Sequence, residues 1–443
     1  MKTKTMFCAL ALLATVAASG LAAEASNYVP HRTTVVDLSD NAEIVVVAKL
    51  ERVEDVALTE VGLDSQRHKD VDNGKTRGGQ DYIRREAVLT IREVIKGNAQ
   101  AGTELRFVSM RQLKYANYDA DLKNGDCLYF LSRRSEDSRL VVLQDERGTV
   151  SAAEVGGDLN RAVDFVRGHL DSGSTSAAGV QRMIQAITLS GDRLSVDCAM
   201  ELSWSHTQYA PNMTEEQRQS LQTLMTASPV GSEERNQLIT AVGRHKPEGA
   251  LQSLLALMLA DSSWSTTSLG SMSLEYVDRG AAISALLAEW SNANDDTRKM
   301  VIVRSLGLIR PKAGHDGVTV RQATLDLVGG LLVAGTSSDL LREALIASRD
   351  LRAEDAHINA LKKLIDERAT NGLKDADVKA AIIALAAARK VVVNQSGPDA
   401  EAVLARKYLE DLGAADPLLK QVVDVAIKTP WTTLILGADG RGH

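Results

Sequence analysis

The chain has 443 residues, of which 44% are apolar and 25% are charged, and its formal net charge is −7. This composition is typical of a globular protein and not of a disordered chain. The charges are spread along the sequence, so it lacks the clustered Lys and Arg that binding of nucleic acid requires. A single core usually divides beyond about 250–300 residues, and we therefore expect two domains, or one domain and a repeat array.

The first 23 residues have the pattern of a cleavable secretory signal. Lys2 and Lys4 precede an uncharged stretch, 6–23, in which small residues follow a short apolar centre. These are the parts of a signal peptide. An uncleaved anchor is the alternative, because the stretch is close to the ~18 residues that a membrane span needs. We expect export to a periplasm or to the cell exterior, with no membrane span after cleavage.

Residues 24–157 are predicted to form a small β domain. Short apolar runs rich in β-branched and aromatic residues, as strands are, occur at 44–47, 87–91, 105–108, 128–131 and 140–143. Turns containing glycine fall between them, and regularly spaced short strands indicate a barrel or sandwich. The segment 64–86 carries many charges of both signs, and we predict that it is a long surface loop.

Residues 158–443 have helical periodicity. Apolar residues recur at i, i+3, i+4 and i+7, for example at Leu251, Leu254, Leu255 and Met258. The predicted helices are 158–171, 177–190, 194–205, 215–227, 232–244, 248–260, 274–291, 295–308, 320–335, 338–349, 354–369, 375–389, 399–412 and 417–428. Taken in pairs they recur at about 40 residues, the period of HEAT and armadillo arrays. A closed helical bundle is the alternative.

Both parts resemble known families. The helical part resembles HEAT-like repeat proteins, which implies helix pairs that stack in series and bury one continuous core. The front domain is similar to OB-type barrels of the netrin/TIMP-like class in the strand 42–48, in the run 91–97 followed by Gly102, and in the segment 122–131. The cysteine framework of that family is missing here, so its inhibitory function is not implied. The predicted fold class is α+β, a small β-barrel or sandwich followed by an all-α array.

Two cysteines follow the signal, Cys127 in a predicted strand and Cys198 in a predicted helix. They form either a disulfide or two buried free thiols. A disulfide would close a loop of about 70 residues and contribute about 4 kcal/mol by chain entropy. Their apolar neighbours favour the free thiols.

The sequence predicts no catalytic residue, cofactor or metal site. The eight histidines include no HExxH pair and no zinc-type spacing with cysteine, and no GxSxG nucleophile motif occurs. The stretch 70–76 fits neither a calcium loop nor a phosphate loop, because the required glycines are absent. Ser205 and His206 are adjacent in sequence, which does not place the hydroxyl on the imidazole.

The remaining candidate residues are two tryptophans. Trp204 and Trp264 each lie among serines near a helix end, where they either form the rim of a binding surface or pack against the next helix. The sequence thus favours an exported, non-enzymatic interaction or scaffold protein that binds a protein or peptide. Two alternatives stay open: a hydrolase with residues at the domain junction, and a protease inhibitor that acts through the front domain. The partner and the oligomeric state are not determined.

Overall fold

The structure is a computed structural model that describes residues 33–55, 82–112, 125–133, 138–143, 145–311, 316–351, 355–388 and 400–428. The predicted signal and residues 64–81 of the predicted loop lie outside these residues. Residues 82–86 were predicted to belong to that loop but form part of a strand, so this end of the prediction is wrong. The chain divides into two compact units, one from His31 to Glu248 and the other from Gly249 to the C-terminus.

The first unit begins with a short helix and an antiparallel sheet. Helix α1 is Val35–Asn41, and the strands are β1 Ile44–Asp55, β2 Tyr82–Lys96, β3 Glu104–Gln112, β4 Asp126–Arg133, β5 Leu140–Val142 and β6 Thr149–Ser151. The strand order is β3-β2-β1-β4-β5, with β6 paired to β4. Strands β3 and β5, at opposite ends of this order, also contact each other, so the sheet curls into a half-barrel. The prediction that the front part of the chain is β-rich is therefore confirmed.

Strand β1 is buried on both faces. Ile44, Val46 and Ala48 belong to one apolar cluster with residues of the neighbouring strands, while Val45 and Val47, which point to the opposite face, are also buried. Burial of both faces explains why this strand is a continuous apolar run and does not alternate.

The turn after β2 depends on one glycine. Gly97 has a φ of +92°, and a Cβ there would lie 2.4 Å from the carbonyl oxygen of Glu43. Only glycine adopts this backbone without steric cost, so the glycine in this predicted turn has a specific steric role.

The α-helices described after the strands of the first unit are α2 Leu159–Ser172, α3 Ala177–Ala186, α4 Arg193–Trp204, α5 His206–Tyr209, α6 Glu215–Ala227 and α7 Glu233–His245. Side-chain oxygens of Asp158, Ser176, Asp192, Thr214 and Ser232 accept backbone N–H groups at the starts of the five longer helices. Helix α4 packs on α7, and α7 packs on α6. The secondary structure changes from strand to helix between residues 151 and 159, yet α2–α7 belong to the same compact unit as the sheet.

The described helices of the second unit are α8 Ala250–Ala260, α9 Trp264–Asn292, α10 Asp296–Ile309, α11 Val318–Leu331, α12 Ser338–Leu351, α13 Asp355–Asp366, α14 Arg368–Asn371, α15 Asp375–Ala388, α16 Ala400–Ala415 and α17 Pro417–Lys428. Helix α10 packs on α12, α12 on α15, and α15 on α17, while α11, α13 and α16 pair with α12, α15 and α17 respectively. One apolar cluster extends along this row from Val303 to Ile427. Helices packed in pairs, and a two-domain α+β class, are therefore confirmed.

The predicted helices are present with one marked difference. Helix α9 begins at Trp264, ten residues before the predicted start at 274, and kinks at Asp278. The early part is rich in Ser, Thr and Gly, which are weak helix formers. Thr266, Thr267 and Ser271 are nevertheless buried, and the Ser271 hydroxyl donates to the Thr267 carbonyl at 2.6 Å, so tertiary packing outweighs the local propensity.

No helix in the described part of the chain has both the length and the apolar character needed to cross a membrane.

Candidate functional site

Trp204 is the last residue of α4, and its side chain is 43% exposed. Its indole Nε1–H donates to Oε1 of Gln237 on α7 at 3.0 Å. Gln237 is buried, so this bond fixes the orientation of the ring while part of its surface faces solvent. A large aromatic side chain held in this way is suited to contact with a ligand.

The last turn of α7 lies against the C-terminal end of α4. Arg244 donates to the carbonyl oxygen of Ser203 at 2.6 Å, and Nε2 of His245 donates to the carbonyl oxygen of Leu202 at 2.8 Å. Basic groups are favourable at the negative end of a helix dipole. Burial lowers the pKa of His245 to about 4, so its imidazole is neutral at physiological pH.

His206 starts the short helix α5 beside this turn. Its ring meets that of His245 edge to face, with centroids 6.2 Å apart. Burial, and then the charge of Arg244, lower the pKa of His206. Nδ1 of each histidine is buried and has no hydrogen-bond partner within the part of the chain that the structure describes.

Trp264 has a different environment in the second unit. It is the first residue of α9 and is half-buried, and the guanidinium of Arg304 lies over its ring at 5.0 Å from the centroid. Arg304 in turn donates from Nε to a carboxylate oxygen of Glu343 at 3.1 Å. The ring of Trp264 thus packs against α10, the next helix, and part of the ring remains exposed.

No disulfide joins Cys127 and Cys198 in the structure, and both side chains are buried. Cys127 lies in β4, within the apolar cluster of the sheet, and Cys198 lies in the middle of α4. Burial raises the pKa of the Cys198 thiol well above its ordinary value, which keeps it protonated and unreactive.

A buried polar cluster joins the start of α1 to α4, and sequence reasoning missed it. Asp197 and Glu201 lie one turn apart on α4 and are 1% and 3% exposed. Asp197 accepts the backbone N–H of Val35 at 3.0 Å, and Glu201 accepts the hydroxyl of Thr34 at 2.7 Å. The other oxygen of Glu201 accepts the Tyr209 hydroxyl at 2.9 Å. This junction cluster therefore holds the first described turn of the chain on the helices.

Two arginines supply the opposite charge. Arg147 donates to Asp197 at 2.5 Å, and Nε of Arg193 lies 3.5 Å from the same carboxylate. Arg193 also donates to the carbonyl oxygen of Thr149 at 2.7 Å and to Glu154 at 3.2 Å. Burial raises the pKa of Asp197, while the two guanidinium groups act in the opposite direction.

The chemistry of the junction cluster is that of a structural clamp. All four carboxylate oxygens of Asp197 and Glu201 accept hydrogen bonds from protein groups, so both carboxylates are occupied in holding the fold. The sequence does contain a signal for the cluster, because Asp197 and Glu201 are spaced i, i+4 among the apolar residues of α4, and carboxylates are rarely buried unless they are paired. No group of three or more potential metal ligands occurs among the described residues.

Comparison with known proteins shows no family. No protein-family model matches the chain, and no curated protein matches it. Among solved structures, the chain is similar to a crystal structure of an engineered protein, with 17% sequence identity and a TM-score of 0.27 over 56% of this chain and 94% of the other. A likeness of this size carries no inference about fold or function.

Proposed function

We propose that the protein is an exported, non-enzymatic interaction protein in which a HEAT-like array of helix pairs presents a binding surface for a protein or peptide. The single observation that carries the proposal is the serial packing of α10, α12, α15 and α17. These helices begin at residues about 40 positions apart, the period of HEAT-type repeats. Such arrays expose extended surfaces, which they use for binding.

Direct contacts between neighbouring members of this row support the stacking. The guanidinium of Arg304 on α10 pairs with Glu343 on α12, and the Ser338 hydroxyl of α12 lies 3.4 Å from a carboxylate oxygen of Asp377 on α15. Gly307 of α10 lies so close to α12 that an added Cβ would be 2.9 Å from the Cα of Ala347. The first three helices of the row are thus fitted to one another, which favours stacking in series.

The hydrolase alternative has one observation in its favour. The pKa of Asp197 in the junction cluster is raised, and so is that of Asp37 in the first turn of α1, on which the charge of Glu201 acts. Perturbed groups of this kind accumulate at active sites. The bonds that occupy Asp197 and Glu201 count against it, because a general acid or base needs an oxygen within reach of substrate. The interaction proposal therefore has the stronger support.

Affinity capture followed by hydrogen exchange tests the proposal. The full chain without residues 1–23 is immobilised, incubated with the exported fraction of its source, and the retained complex is analysed by hydrogen-exchange mass spectrometry. We expect a retained protein or peptide that slows exchange in helices between residues 159 and 428. Slowed exchange confined to the strands, together with inhibition of a retained protease, would favour the inhibitor alternative. Turnover in a panel of ester, peptide and glycoside substrates, abolished by Glu201→Gln, would favour the hydrolase.

A further inference from the structure

Basic and aromatic side chains converge where α4 ends. We call the residues Trp204, His206, Arg218, Arg244 and His245 the Trp204 corner. Arg244 also approaches the carbonyl oxygen of Trp204 at 3.5 Å, and Arg218 donates to the carbonyl oxygen of Ala210, just after α5, at 3.2 Å. The charges of both arginines reach His245, whose pKa they lower in addition to the effect of burial. In a chain with a net charge of −7, this corner is locally basic.

The corner contains more hydrogen-bonding capacity than the described protein uses. Nε2 of His245 is occupied by the Leu202 carbonyl, so a further proton on this side chain would enter at Nδ1. That atom, in a side chain only 4% exposed, and Nδ1 of His206 are both buried without a partner among the described residues. A protonated Nδ1 would require an acceptor from outside, and buried donors without acceptors are costly.

The charged groups around the two histidines are mainly positive. Arg218 comes from α6, and Arg244 comes from α7. The carboxylate of Glu215 on α6 lies 3.4 Å from Arg218, but it also accepts from the side chain of Gln219 and from the backbone of Glu248. The complementary ligand for this arrangement is therefore an anion.

We infer that the Trp204 corner binds an acidic peptide segment, with a carboxylate at Arg244 and His206 and an adjacent apolar side chain on the exposed face of Trp204. The inference rests on the proposed function and names its partner class and surface. Trp and Arg are the residue types most often found at energetic hot spots of interfaces. The Gln237 bond orders the indole before binding, which reduces the entropy lost when a ligand is bound.

A bound carboxylate opposes the lowering of both histidine pKa values, because it favours the protonated imidazole. Binding consequently takes up a proton as the pH falls, and the acidic peptide binds more tightly at pH 5.5 than at pH 8. Linkage limits this effect to about tenfold per pH unit for one proton. Replacing His206 by Gln should reduce this dependence, because only the contribution of His245 then remains.

A random heptapeptide display selection on the full chain, without residues 1–23, tests the inference. We expect enriched peptides to contain Asp or Glu next to a Leu, Phe or Trp. Synthetic fluorescein-labelled versions are then measured by fluorescence anisotropy against the wild type, Trp204→Ala, Trp204→Phe and Arg244→Gln. We expect binding to weaken about tenfold or more for Arg244→Gln and Trp204→Ala, and by less for Trp204→Phe, which retains the ring.

Matched controls come from the second unit. Tyr276 is 45% exposed, close to the value for Trp204, and Arg342 is an exposed arginine on α12. Tyr276→Ala and Arg342→Gln should leave the affinity unchanged, and thermal unfolding of each variant identifies any that fails to fold. Replacing Glu by Gln in the peptide should weaken binding as much as Arg244→Gln does.

The outcomes separate the inference from the proposed function. If enriched peptides bind equally well to Trp204→Phe, Arg244→Gln and the wild type, the corner is not their site, although the interaction proposal stands. Enrichment of basic or uncharged peptides overturns the inference in the same way. If no peptide is enriched and no partner is retained from the exported fraction, both proposals fail.

Discussion

Replacement of Asp197 by Ala should clearly lower the stability of the first unit. The Asp197 side chain is 1% exposed. Its carboxylate forms ion pairs with Arg147 and Arg193 and accepts a hydrogen bond from the backbone N–H of Val35. Removing one partner of a buried ion pair costs about 3–5 kcal/mol. We expect the lower end, about 3 kcal/mol, because Arg193 retains the Thr149 carbonyl and Glu154 as acceptors, and Arg147 is 26% exposed.

Hydrogen exchange of α1 measures this loss locally. A decrease of about 3 kcal/mol accelerates exchange of the slowest α1 amides roughly a hundredfold, if they exchange by opening of the unit. Asp164→Ala is the matched control, because Asp164 is 73% exposed and pairs with Arg167 at 3.5 Å on the surface of α2, where ion pairs contribute about 0–1 kcal/mol. If the two variants lose the same stability, within about 1 kcal/mol, the junction cluster is not a clamp.

Three further substitutions test individual contacts. Burial and the charge of Glu201 raise the pKa of Asp37, so the charged form is disfavoured in the folded state. Asp37→Asn should therefore raise the midpoint of thermal unfolding at pH 7, and the gain should disappear at pH 3, where the wild-type carboxyl is protonated. Gly97→Ala should lower the free energy of unfolding in urea clearly more than Gly102→Ala does. Both glycines have a positive φ, but only at Gly97 would a Cβ meet backbone atoms. Equal losses at the two positions would contradict this explanation. Gly307→Ala should lower the free energy of unfolding, because the added Cβ meets Ala347. Gly330→Ala, in a helix with open space around this glycine, should leave the free energy of unfolding unchanged or raise it by up to about 1 kcal/mol. A rise for both variants would show that α10 and α12 are not closely packed.

Much of the fold follows from local sequence patterns. Most helices after residue 158 were predictable because they repeat apolar residues with helical spacing, and several begin at a polar cap, as at Thr214. Segments whose structure depends on burial were not predictable. Residues 264–273 have the composition of a loop and become helical through their packing, and α1 is only seven residues long, which is too short for a periodicity to be recognised.

The candidate site was predictable only in part. The sequence singled out Trp204 and noted His206 at the same helix end, but Arg244 and His245 lie about 40 residues later, and their position against α4 is a result of tertiary packing. The junction cluster likewise joins Thr34 to Glu201. The spacing of residues within one helix gives no information about contacts between residues so far apart in the sequence.

The same long-range bonds predict that the β half-barrel does not fold on its own. A fragment of residues 24–157 lacks Asp197 and Glu201, which hold the start of α1, and His169, which contacts the carboxylate of Asp40 at 2.9 Å. A fragment of residues 24–248 retains all of these partners and corresponds to the first compact unit. We therefore expect cooperative thermal unfolding for 24–248 and none for 24–157, because the short fragment cannot satisfy its buried polar groups. A cooperative transition in the short fragment would show that the sheet is independent of the helices and that the junction cluster adds little to its stability.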